Sequence, residues 1–141
     1  MAGEIFVDTG AWIALANDRD SFHEAAKAIY PRLLREYRKL LTTNLVVAEV
    51  YVILRKGLGH RAAISFLENL RQSPRILKVY STPELEREAE RILRQYADQD
   101  FSYVDAISFA LMRERGINEA FAFDRHFATA GFVVLPGLEV G

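Results

Sequence analysis

The strongest constraint on this chain is an alternation of short apolar runs with longer segments of helical spacing. Residues 4–7, 40–43, 76–80, 119–123 and 132–135 read as five strands. Helical segments fall between the first four, at roughly 10–17, 21–37, 44–56, 60–71, 82–96 and 102–115. In the second of these, Phe22, Ala25, Ala26, Ile29, Leu33, Leu34 and Tyr37 recur near helical spacing, and Pro31 is expected to kink or interrupt it. Asn44, Thr82 and Ser102 read as helix N-caps, and Gly57 and Gly116 as stops. Strands that alternate with helices from end to end predict a parallel, doubly wound α/β sheet with both faces covered. At 141 residues the chain has the size of one domain, so residues 1–141 are read as a single unit.

Composition narrows the chemistry. There are no cysteines, so disulfides and thiolate metal sites are excluded. No run approaches the ~20 apolar residues that cross a bilayer, and residues 1–4 lack a basic export leader. The expectation is a cytoplasmic protein with no membrane association. The net charge of −1 argues against binding nucleic acid by bulk charge alone. Bases nevertheless crowd residues 32–39, 55–61 and 71–78, and 14 of the 18 are arginine.

Most of the 19 acidic residues sit on polar helix faces. Four do not. Asp8 follows Ile5, Phe6 and Val7 directly, and Asp124 follows Phe121, Ala122 and Phe123. Both stand past the C-terminal end of a strand, where open α/β sheets bind ligands. Glu49 lies between Ala48 and Val50 in an apolar helix, and Asp105 opens another. Each has an ordinary reading: Asp8 as a helix cap, Asp105 as a capping-box acid, Glu49 as half of a distant ion pair, Asp124 as a turn residue. Together they pose a harder problem, because buried carboxylates need compensation. No Lys or Arg lies within four residues of Asp8, and Glu49 and Asp105 have no basic residue after them before Arg55 and Arg113. A shared divalent cation would compensate all four, and Mg²⁺ and Mn²⁺ favour oxygen ligands. Metal held by carboxylates suits phosphodiester hydrolysis.

The segments Ile5-Phe6-Val7-Asp8-Thr9-Gly10-Ala11-Trp12, Thr43-Asn44 with Glu49, Ser102-Tyr103-Val104-Asp105-Ala106 and Phe123-Asp124-Arg125-His126-Phe127 resemble the PIN-domain ribonucleases, and more narrowly the VapC toxins of toxin–antitoxin pairs. The resemblance spans nearly the whole chain, in order. It implies a three-layer α/β/α sandwich with a five-stranded parallel sheet ordered 3-2-1-4-5. It implies RNA cleavage dependent on Mg²⁺ or Mn²⁺, with Asp8, Glu49, Asp105 and Asp124 as the catalytic and metal-holding acids. Thr9, Asn44 and Ser102 match its supporting polar positions. A homodimer and a small antitoxin partner are implied as well. The chain departs from many members at His126, where they carry a further acid, so a second metal is not assigned. His126 itself has two readings, a contact to phosphate and a surface helix cap, and the cap is the expected one.

Other classes fit less well. A phosphoreceiver domain needs paired acids near the first strand and a lysine after the last, but Asp8 is alone and no lysine follows Lys78. An aspartyl-nucleophile phosphatase needs a second acid at position 10, which is glycine. The remaining alternatives are a non-catalytic PIN-like binding module and a DNA-directed nuclease of related fold.

Overall fold

A computed structural model describes residues 2–137. The loop expected after Pro136 lies outside the described residues from position 138 on. The elements are β1 (Ala2–Val7), α1 (Thr9–Ala16), α2 (His23–Glu36), β2 (Tyr37–Thr43), α3 (Asn44–Gly57), α4 (His60–Gln72), β3 (Ile76–Val79), α5 (Pro83–Gln95), α6 (Tyr103–Arg115), β4 (Glu119–Phe121), α7 (His126–Thr129) and β5 (Val133–Leu135). The five strands form one sheet, all parallel, in the order β3-β2-β1-β4-β5.

This order fixes where a ligand can bind. From β1 the chain winds outward through β2 to β3, then crosses back to β4 and winds out to β5. Right-handed crossovers put α1–α4 on one face and α5–α7 on the other. The packing agrees: α1 contacts α2 and α3, α3 contacts α4, and α6 contacts α5 and α7. The winding reverses between β1 and β4, and a crevice opens at their C-terminal ends. Asp8 and the loop carrying Asp124 stand there.

The core explains the strand compositions. Ile5, Phe6 and Val7 of β1 and Ala120 and Phe121 of β4 are fully buried, as central parallel strands require. Helix α6 is buried continuously from Asp105 to Met112. Its Phe109 meets Phe127 edge to face at 4.9 Å and Phe101 at 5.0 Å, and Phe127 in turn stacks against Phe6 at 6.0 Å. Helix α5 is amphipathic: it buries Leu85, Ala89 and Ile92 and exposes the Glu84–Arg87 pair.

Several boundaries differ from the sequence reading. Helix α2 runs through Pro31 without interruption. Pro31 and Lys27 are both exposed, so water reaches the carbonyl that proline leaves unbonded. Tyr37 belongs to β2, where it is buried and pairs with Ala2. The cap of α3 is Thr43, whose hydroxyl accepts from Val46 N at 3.1 Å, and Asn44 is the first helical residue. Strand β4 stops at Phe121, two residues early, because the β4–β5 ladder ends at Phe121 opposite Leu135. The short helix α7 was anticipated only through the capping role given to His126, without a range; His126 is its first residue and Arg125 stands at the cap. Ser102 and Thr82 do cap their helices, and Gly116 closes α6 in the left-handed conformation at φ 69°.

Candidate active site

Asp8 is held by its backbone. Its N–H donates to Phe121 O at 3.0 Å, tying the end of β1 to β4. Its carbonyl accepts from Ala11 and Trp12, starting α1. The carboxylate makes no capping hydrogen bond, so the ordinary explanation for this acid does not apply. Asp8 is 4% exposed. Burial raises its carboxyl well above the usual carboxylate value, and the charges of Asp124 and Asp105 raise it further.

Asp105 is 7% exposed in the first turn of α6. Its capping box is complete: Asp105 N donates to Ser102 Oγ at 2.9 Å, and Ser102 N donates to Asp105 Oδ2 at 3.0 Å. The same Oδ2 lies 2.9 Å from His126 Nδ1. One carboxylate oxygen is therefore anchored twice. Asp124 is exposed in the loop after β4, and its Oδ1 accepts from His126 N at 2.9 Å. Ligand atoms of Asp105, Asp124 and His126 lie within 4.8 Å of one another. The pair Asp105–His126 is the sole contact between these acids and a basic side chain among the described residues.

The other anticipated residues are placed differently. Glu49 is half-buried on α3, has no ion pair among the described residues, and is not one of the converging groups. Asn44 Oδ1 accepts from Ser81 N at 2.9 Å, which fastens the loop after β3 rather than an acid. Thr9 is 8% exposed, and its Oγ1 is a buried side-chain polar atom without a hydrogen-bond partner. His126 was expected to cap a surface helix; it stands at the start of α7 and bridges Asp105 and Asp124. The available signal was the Asp-x-His spacing, which lets a backbone N–H two residues on reach the acid's oxygen.

These features suit a divalent cation. Asp8 has a buried carboxylate with no cationic neighbour, Thr9 has an orphaned hydroxyl, and Asp105 and Asp124 each keep one oxygen free of protein hydrogen bonds among the described residues. An oxygen-rich set with one imidazole suits a hard divalent cation more than a thiophilic one.

Comparison with known proteins bears on the same point. Residues 5–133 match the PIN domain family. The chain belongs to the PIN-domain family. It is 39% identical over 129 residues to VapC20 of Mycobacterium tuberculosis (strains CDC 1551 / Oshkosh and ATCC 25618 / H37Rv), named a 23S rRNA-specific endonuclease. That match covers 92% of this chain and 95% of the relative. The crystal structure of M. tuberculosis VapC20, described as a toxin that cleaves the sarcin–ricin loop, aligns with a TM-score of 0.84 at 38% identity, over 92% of this chain and 96% of that one. VapBC2 from Rickettsia felis, solved with a promoter DNA fragment, aligns with a TM-score of 0.70 at 11% identity, over 93% and 96%, and shares the PIN fold.

Proposed function

We propose that this PIN-domain chain is a metal-dependent endoribonuclease that acts as the toxin of a toxin–antitoxin pair. The observation that carries the reading is the convergence of Asp105, Asp124 and His126 within 4.8 Å beside the buried Asp8, whose carboxyl the Asp124 and Asp105 charges raise, with no Lys or Arg partner for these acids among the described residues. Asp8, Asp105 and Asp124 hold the ion, and Glu49 completes the acidic set from α3. Bound Mg²⁺ or Mn²⁺ supplies a Lewis acid for phosphate oxygens and acidifies water.

The protein's own residues arrange the reaction. Ser102 N–H and the His126 ring fix one oxygen of Asp105, which turns the other outward. His126 N–H does the same for Asp124. Fixed acids cost no reorganisation when charge develops in the transition state. Burial and the neighbouring Asp124 and Asp105 charges raise the Asp8 carboxyl, so without a metal it keeps its proton to higher pH than an ordinary carboxylate. The Thr9 hydroxyl, buried beside Asp8 without a hydrogen-bond partner, is left to be satisfied by a group that enters the site.

The substrate we propose is 23S ribosomal RNA, because VapC20, 39% identical, carries that specificity in its name. Such a substrate places the protein in the cytoplasm. Partners on this reading are a second copy of the chain and a small antitoxin. Intact ribosomes incubated with the purified protein and Mg²⁺ test the substrate. Primer extension is expected to give a single stop in the sarcin–ricin loop. Intact 23S rRNA, or cuts scattered over all RNAs, would contradict it.

A further inference from the structure

Beside the acids lies an aromatic pair that the proposed chemistry does not use. Phe123 immediately precedes Asp124, and Phe22 is the N-cap residue of α2. Their rings stack with centroids 4.6 Å apart and planes within 11°. The topology requires this meeting. The crossover through α2 returns toward the start of β2, so the N-terminus of α2 stands at the strand C-termini, where the β4 loop also emerges.

Phe22 is exposed, Phe123 is half-buried, and both are held. Phe22 is 45% exposed, which leaves a ring face open to a ligand. Phe22 N donates to Asp20 Oδ1 at 2.8 Å, and Arg19 N to Asn17 Oδ1 at 3.0 Å, so side chains brace the loop before α2. Phe123 rests edge-on against the buried Phe121 at 5.8 Å. A groove of about 540 Å³ runs past both rings, and Arg32 and Pro136 also line it. Arg125, exposed, follows Asp124.

We propose that Phe22 and Phe123 form a stacking platform for one nucleobase of the RNA strand adjacent to the bond that is cut. Single-stranded RNA is bound by stacking unpaired bases on aromatic rings while cations take the phosphates. Here the platform is one residue from Asp124, so a phosphate at the acids leaves the neighbouring base within reach of the rings. Arg125 supplies charge complementary to the backbone that joins them, whereas Arg32 is already paired with Glu36 at 2.7 Å. The occupant is therefore a base of the substrate strand. The inference rests on the endoribonuclease reading.

The test compares wild type with Phe22→Leu and Phe22→Trp. Leucine keeps the apolar volume without a π face, and tryptophan restores one. Binding is measured in EDTA by anisotropy of a short RNA from the sarcin–ricin loop carrying 2-aminopurine beside the cleavage position. Phe22→Leu is expected to bind roughly 5- to 100-fold more weakly, and Phe22→Trp to match wild type or bind more tightly. The 2-aminopurine signal is quenched by wild type and by Phe22→Trp, not by Phe22→Leu. An abasic nucleotide at that position removes the difference between wild type and Phe22→Leu. Equal affinity and equal quenching in all three proteins, with cleavage in Mg²⁺ retained, would overturn the platform and leave the nuclease intact. Loss of a dimer in Phe22→Leu with unchanged RNA affinity would assign the rings to a self-interface and overturn it as well. A wild-type protein that neither binds nor cuts RNA overturns both readings.

Discussion

Single residues decide what this fold can do. Asp8 destabilises the metal-free protein, because its carboxylate is buried beside Asp105 and Asp124. Its folded carboxyl lies above the ordinary value of 3.8. Relative to a neutral side chain, stability is therefore retained below that value and lost as pH rises toward the folded one. Asp8→Asn is expected to raise the unfolding free energy in EDTA at about pH 8 by roughly 1–3 kcal/mol, and to abolish cleavage. Urea titration should show the difference between the two proteins shrinking as pH falls. His126 acts through Asp105, and its replacement by alanine should weaken Mn²⁺ binding or activity about 10- to 100-fold, read by calorimetry. The sequence revealed Asp8 and Asp124 as strand-end acids because an apolar run precedes each. It did not reveal His126 as the bridge between Asp105 and Asp124, since its contact with Asp105 spans 21 residues and depends on how α6 meets α7. Phe22 was absorbed into the apolar stripe of α2, although its ring turns to Phe123 instead.

At the scale of elements, the termini of helices and strands carry the site. Ser102 caps α6 and anchors Asp105 with the same pair of hydrogen bonds. Ser102→Ala should cost about 1 kcal/mol of stability and also lower activity, whereas Thr82→Ala, at the cap of α5, should cost stability alone. Thermal melts paired with cleavage rates separate the two. The junction of α2 and β2 depends on Arg75, whose guanidinium donates to Leu34 O at 2.6 Å, to Arg38 O at 3.0 Å and to Tyr37 O. Boundaries there were not legible because they are set by a side chain about forty positions away. Element types and order were legible, since the apolar runs and caps are local. The early end of β4 was not, because the ladder with β5 decides it.

The whole molecule joins these parts through the strand order. The 3-2-1-4-5 sheet puts β1 and β4 side by side, so acids separated by more than a hundred residues meet at one crevice. That separation is why the fold class could be read from the sequence while the ligand geometry could not. It also means that metal binding should stabilise the entire domain. At a metal concentration about 100 times its Kd the gain is roughly 2.7 kcal/mol, a rise of several degrees in Tm. Asp105→Asn should lose most of that rise. The central claim is that the acids and a metal together cut RNA. Its most direct test is cleavage of a fluorogenic single-stranded RNA by wild type, Asp8→Asn and Asp105→Asn, each with Mg²⁺ or Mn²⁺ and again with EDTA. Cleavage by wild type alone, abolished by EDTA, is the predicted result. Cleavage that persists unchanged in both variants, or in EDTA, would contradict it.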